Sequence, residues 1–197
     1  DNIGISAASA GKSAAKMNAG ANIYTFLLND TITVNLNNPT VELPSLIPRE
    51  GSATVIDDVG HFIYGLAEGL SQEDFLAGYV DKKGDCRIVV TPTPNGFGTG
   101  TKVELISNAT DEVVRMYYVV IFGDVSGDGI AGSIDADIII NYENFAIEWD
   151  AETEPYLFAA GDLDLNTVVE ALDADIISNV ENFVMWIDQT TGLAYAY

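Results

Sequence analysis

The chain of 197 residues has one cysteine, one histidine and, beyond Arg115, no lysine or arginine at all. Each shortage excludes something. Cys86 cannot close an internal disulfide, and its neighbours Arg87-Ile88-Val89-Val90 read as a strand, so it is expected as a small buried hydrophobe rather than a nucleophile. His61 has no second imidazole with which to share a metal, and no Ser-x-Gly elbow lies near it, so it reads as a strand or edge residue. The net charge of −22 argues against nucleic acid, whose binders need a basic face. No run of 18 apolar residues is present to suggest a membrane span. The start lacks the basic-then-apolar layout of a signal peptide, and any targeting segment is expected upstream.

The missing cations are unevenly distributed. All eight Lys and Arg precede residue 121, whereas the last 77 residues hold 16 Asp and Glu. Crowding that much charge of one sign stresses a fold unless counter-charge is supplied. With 48% apolar and 10% aromatic residues, the chain nonetheless has enough hydrophobic material for a real core.

What the acidic end contains is one motif spelled twice. The first copy reads Gly123-Asp-Val-Ser-Gly-Asp-Gly-Ile-Ala-Gly-Ser-Ile-Asp-Ala-Asp-Ile-Ile, and the second, from Gly161, reads Gly-Asp-Leu-Asp-Leu-Asn-Thr-Val-Val-Glu-Ala-Leu-Asp-Ala-Asp-Ile-Ile. Counted from Asp124 and Asp162, oxygen-bearing side chains fall at loop positions 1, 3, 5 and 12 in both. Calcium is a hard cation that takes six to eight oxygens, and a tight loop with these offsets is the EF-hand way of supplying them. Loop one offers Asp124, Ser126, Asp128, the carbonyl of Ile130 and Asp135; position 9 is Gly132, which leaves that place to water. Loop two offers Asp162, Asp164, Asn166, the carbonyl of Val168 and Asp173, with Glu170 at position 9. Position 6, where the chain turns sharply, is Gly129 in loop one but the β-branched Thr167 in loop two, so loop two must accept strain or turn differently. Asp137 and Asp175 are read as helix first-turn acids rather than ligands. Two calcium sites are expected.

Helical patterns follow both loops, at 136–145 and 174–184, and each carries Glu-Asn-Phe at the same offset. A third helix is expected over 154–160. Upstream, 54–122 reads as a strand–helix–three-strand unit, with strands at 59–66, 87–91, 102–106 and 113–122. Its helix starts at Ser71, a capping residue with Asp74 three places on. The Pro92–Gly100 stretch reads as a hairpin loop; its Gly-Phe-Gly-Thr-Gly-Thr-Lys lacks phosphate-loop spacing. Residues 1–20 read as a linker or loose helix, a strand is expected over 32–36, and Pro39, Pro44 and Pro48 punctuate 37–50. The aromatic tail is expected to pack back on the rest of the chain.

On the doubled Gly-Asp loops, each with a position-12 Asp and a single following helix, the segment 123–187 resembles a type I dockerin, a cellulosomal assembly module. The preceding unit, through Phe62-Ile-Tyr-Gly-Leu, Glu73-Asp-Phe-Leu and Gly98-Thr-Gly-Thr-Lys-Val-Glu-Leu-Ile, resembles the X-like module that abuts such dockerins. The resemblance implies an α+β fold: a small, mainly β module packed on an all-α double EF-hand-like module, with domains at 1–53, 54–122 and 123–197. It implies a non-catalytic, extracellular, calcium-dependent adaptor whose partner is a cohesin. It also implies a contact surface at loop positions 10 and 11 and on the following helices: Ser133, Ile134, Ile140, Asn141 and Phe145, and Ala171, Leu172, Ser178, Asn179 and Phe183. The Lys-Arg pair common on that helix in dockerins is missing here, which points to a divergent, more apolar contact. The alternative is a calcium-stabilised structural or adhesive ectodomain with no cohesin partner.

Overall fold

The computed structural model describes residues 44–197, together with the backbone of two short strands, β1 (Ile5–Ala7) and β2 (Ile32–Val34), which pair antiparallel. The chain divides into two compact units, residues 1–41 and 42–197. Apart from β1 and β2, the expectations for residues 1–43 lie outside the described residues.

The second unit is built on a five-stranded sheet. In chain order its elements are β3 (Ser45–Pro48), β4 (Val55–Asp57), β5 (Phe62–Tyr64), α1 (Gln72–Gly78), β6 (Val80–Lys83), β7 (Cys86–Thr91), β8 (Lys102–Ser107), β9 (Val113–Val119), α2 (Ser133–Glu143), α3 (Pro155–Gly161), α4 (Ala171–Glu181), β10 (Met185–Ile187) and β11 (Ala194–Ala196). The sheet runs β4-β5-β9-β8-β7, with β5 parallel to β9 and the other neighbours antiparallel. Strand β3 pairs with β6, and β10 with β11, as separate two-stranded ribbons.

Side chains alternate across a strand, and here the alternation divides two cores. Ile63, Val119 and Ile121 join Phe75, Leu105 and Tyr117 in one cluster, between the sheet and α1. Their neighbours Phe62, Tyr64 and Val120 face the other way, into a cluster with Ile139, Leu163 and Ile177 from the two loop–helix repeats and Ile187 from β10. The repeats therefore pack on the sheet's opposite face. Helix α1 starts as its sequence indicates: Ser71 Oγ accepts from Asp74 N–H at 3.0 Å and donates to Asp74 Oδ2 at 2.6 Å.

The expected fold class is corrected. The unit is mixed α/β, with a five-stranded sheet and four helices of seven to eleven residues; no all-α double EF-hand module is evident among the described residues. Loop one is entered from strand β9, not from a helix, and the chain after α4 doubles into the β10–β11 hairpin. The reason lies in the tail: Met185–Ile187 and Ala194–Ala196 flank a turn closed by Asp188, whose carboxylate accepts from Thr190 N–H and Oγ1–H, and by Gly192 at φ +78°. Helical periodicity ends before this point, and an extended ribbon takes over. The strand expected over 59–66 is shorter, because His61 sits at φ +60° in the turn between β4 and β5.

The ribbon also anchors the chain where the sheet hands over to the loops. Gln189 grips the Phe122 backbone at both ends, its Nε2–H donating to Phe122 O (2.9 Å) and its Oε1 accepting from Phe122 N–H (2.8 Å). Gln189 O in turn accepts from Gly65 N–H.

Candidate metal centre

Each acidic loop folds around the carboxylate at its position 12. Asp135 Oδ1 accepts from the N–H groups of Val125 (2.9 Å) and Ser126 (2.7 Å), while Oδ2 accepts from Gly132 N–H (2.9 Å). Asp173 repeats the pattern, with Oδ1 on Leu163 (2.8 Å) and Asp164 (3.3 Å) and Oδ2 on Glu170 N–H (2.9 Å). These two aspartates sit in the first turns of α2 and α4, where a negative charge also suits the helix dipole. The helices begin three residues earlier than their apolar pattern indicates, because the loop's last residues already belong to the first turn.

Within each loop three carboxylates converge. Asp124, Asp128 and Asp135 each bring one oxygen within 4.8 Å of the others, as do Asp162, Asp164 and Asp173. Either cluster could hold a metal ion. Asp124, Asp135 and Asp173 are fully buried. Burial pushes the Asp135 carboxyl up to about 6, and it raises Asp124 and Asp173 as well, against the lowering effect of their N–H donors. Buried like charges in such proximity are unfavourable without a compensating cation.

The donor sets fit a hard cation. Loop two carries the clearest sign: Asp162 Oδ1 is buried with no hydrogen-bond partner, while Oδ2 accepts from Thr167 N–H at 3.0 Å. A native protein rarely leaves a buried carboxylate oxygen without a partner. Asp164 and Asn166 are tied together at the loop's mouth, where Asn166 Nδ2–H donates to Asp164 Oδ2 and Glu170 Oε1. The side chains of Ile130 and Val168 are exposed, so any contribution from position 7 rests on the backbone alone. Thr167 takes φ +74° and Leu165 φ +59°; loop two accepts the strain that glycines spare loop one, where Gly127 and Gly129 take φ +76° and +93°.

Loop one has supports that its own sequence does not announce. Asp124 Oδ2 accepts from Thr99 N–H (2.8 Å) as well as from Gly129 N–H (3.0 Å). Thr93 Oγ1–H donates to Gly127 O (2.7 Å), Asn95 Nδ2–H to Ser126 O (2.7 Å) and Gly69 N–H to Gly129 O (2.8 Å). The β7–β8 connection lies so close that a Cβ on Gly98 would overlap Gly129 N and Asp124 Oδ2. The signal for this was the run of glycines and threonines at 96–101, which marks a close backbone approach. Glu68 adds a further carboxylate at the edge of loop one. Its side chain as a whole is exposed, yet loss of solvent around the carboxyl raises its pKa; the Ala131 N–H offsets part of this, and the charges of Asp124 and Asp135 add to it.

The chain matches no protein-family model, no curated protein and no solved structure.

The residues expected to meet a partner are divided by the structure. Ser133, Ile134, Ile140 and Asn141 are exposed around α2, and Leu172 is exposed at the start of α4. Ala171, Ser178 and Asn179 are half-buried, with Ser178 Oγ–H bonded back to Ala174 O. The helices run side by side in opposite directions, since Ser133 Oγ–H at the start of α2 reaches Glu181 Oε1 at the end of α4 (3.2 Å). Phe145 and Phe183 lie just past the helix ends rather than on them, at φ +57° and 89% and 82% exposed. Both occupy the glycine position of a helix-terminating Schellman turn. Phe145 N–H donates to Tyr142 O and Ala146 N–H to Asn141 O, and Phe183 and Val184 repeat these bonds to Val180 O and Asn179 O. A bulky residue there costs about 1–2 kcal/mol relative to glycine. Exposed aromatic surface in the same place, twice, is a second cost.

Proposed function

We propose that this chain is a non-catalytic, calcium-dependent assembly module: a divergent dockerin whose two loops bind one calcium each, and which docks on a cohesin in an extracellular or cell-surface complex. The observation that carries the reading is the doubled loop, with the same three donors to Asp135 and Asp173 and three convergent carboxylates in each copy. Calcium suits these sites because all the donors are oxygens and the loops follow EF-hand spacing. Two such ions would offset four units of the −22 charge where cations are missing. The strained, exposed Phe145 and Phe183 supply the reason for a partner, since strain at an exposed aromatic is retained where function uses it.

Calorimetric titration of the chelator-treated chain with calcium is expected to give two sites. Binding at neither would sink the reading. Pull-down of purified cohesins by the calcium-loaded chain, lost on chelation, then separates an adaptor from a calcium-stabilised structural ectodomain, which would bind calcium and no cohesin.

A further inference from the structure

At the end of α2 the chain leaves a groove of about 430 Å³ against loop two. Its wall is aromatic: Tyr142 and Trp149 stack at 4.3 Å between ring centroids and 14° between planes. Phe158 meets both rings edge-on, at 5.9 and 5.6 Å, and holds the stack in place. Phe145, Ile147, Val168 and Val169 complete the apolar lining. Around this surface stand three carboxylates, Glu143, Glu148 and Glu170. No ion pair among the described residues reaches any of them, and the chain has no Lys or Arg beyond residue 115 to do so.

The second repeat does not duplicate this feature. The positions equivalent to Tyr142 and Trp149 are Val180 and Ile187, and Ile187 is buried in β10. The groove is therefore particular to the first repeat, although both repeats end on an exposed phenylalanine.

We propose that this groove receives an arginine side chain presented by the partner protein. Stacked aromatic faces attract a cation and accept a planar guanidinium over them, and weak hydration makes guanidinium the cheaper cation to desolvate. Carboxylates at the rim pair with it through charge-assisted, bidentate hydrogen bonds. The apolar lining covers the aliphatic stem, as expected for a side chain that is part hydrocarbon and part charge. The assembly reading enters only in taking the arginine to be a partner protein's. Because Val168 and Glu170 belong to loop two, calcium there sets the groove's shape, and occupancy of the groove depends on calcium.

The test uses the calcium-loaded full chain, ¹⁵N-labelled, titrated with N-acetyl-arginine N-methylamide and followed at the Trp149 indole N–H. The arginine derivative is expected to shift Trp149 and leave Trp186 in place, with weaker shifts when calcium is removed. The norleucine derivative is expected to have no effect, and the Glu143→Gln/Glu148→Gln variant to bind the arginine derivative about tenfold more weakly, the equivalent of about 1.4 kcal/mol. Equal shifts from norleucine, or unchanged binding by the variant, overturn the proposal. A lysine derivative binding more tightly than arginine overturns the choice of guanidinium. Pull-down of cohesin by the same variant distinguishes the two failures. Capture equal to the original chain's, with no arginine binding, removes the groove and leaves the assembly reading. Arginine binding with no cohesin captured by either chain removes the assembly reading and leaves the groove.

Discussion

Loop one and loop two place oxygen-bearing side chains at the same four positions but are held in different ways. Loop one is gripped from outside: Thr99, Thr93, Asn95 and Gly69, all from the sheet side, bond to Asp124 or to the loop's carbonyls. Among the described residues, the hydrogen bonds of loop two come from within the loop and from α3 just before it. Loop two also carries two non-glycine residues at positive φ and a buried carboxylate oxygen without a partner. One candidate site is prebuilt by the scaffold; on the calcium reading, the other would depend on its ion. Removing calcium should therefore produce the largest effect of all, and an unequal one. At free calcium about a hundred times each Kd, two sites contribute about 5 kcal/mol, which a chelator would remove. Hydrogen exchange should show amides of loop two and α4 losing protection first while the sheet keeps its own. Uniform loss across both loops would break the comparison.

Single substitutions separate scaffold from ion. Asp124→Ala strands the N–H groups of Thr99, Gly127 and Gly129, and each unsatisfied buried donor costs about 1–3 kcal/mol. A loss of about 3 kcal/mol or more is expected by denaturant unfolding even in chelator. Asp162→Ala strands the Thr167 N–H alone, at an exposed position, and removes one half-buried charge. It should cost under about 1 kcal/mol in chelator and yet abolish one calorimetric calcium site. Equal costs in chelator would show that the sheet does not support loop one.

How much of this asymmetry was legible in the sequence follows from the range of the interactions. The ligand set, the strained Thr167 and the Ser71 cap are local, and the residues that make them lie within a dozen positions of one another. Glu-Asn-Phe was visible as a repeat but reads as helix. Only the φ of +57° at Phe145 and Phe183 shows that it ends the helix, since nothing in the pattern says that phenylalanine takes a glycine's place. Thr99 on Asp124 and Gln189 on Phe122 join residues 25 and 67 positions apart, beyond the reach of any periodicity. The β10–β11 hairpin escaped because three-residue strands leave too short an alternation to separate from a helix end.

A smaller effect is expected from Thr167→Gly. Thr167 holds φ +74°, a conformation costly for a β-branched residue, whereas glycine adopts it freely. The relief is about 1 kcal/mol, discounted slightly for glycine's greater freedom in the unfolded chain. Because the strained turn carries Asp162's only N–H donor among the described residues, the gain should appear as calcium affinity, about fivefold tighter at loop two and unchanged at loop one. The reverse change in loop one, Gly129→Ala, would drive a Cβ to 2.6 Å from Phe97 O and should weaken both fold and site. If Thr167→Gly left calorimetric affinity untouched, strain would not be what distinguishes the two loops.

The gentlest test asks whether the sheet responds to calcium at all. Tyr117 is buried in the sheet, and its Oη–H donates to Asp58 Oδ1 at 2.6 Å. Burial, then the hydrogen bond to Asp58 and that carboxylate's charge, push the phenol up to about 12; Arg115 partly opposes them. An unfolded tyrosine ionises near pH 10. Between about 10 and 12 the folded chain keeps a proton that the unfolded chain has lost, so stability falls as pH rises through that window, and the contribution is intact below it. Tyr117→Phe should flatten this part of the stability–pH profile. If the sheet is a frame that calcium merely occupies, the slope between pH 10 and 12 will be the same with calcium and with chelator. A slope that appears only with calcium would mean that the ions organise the sheet as well as the loops, and the division between prebuilt and ion-dependent halves would have to be given up.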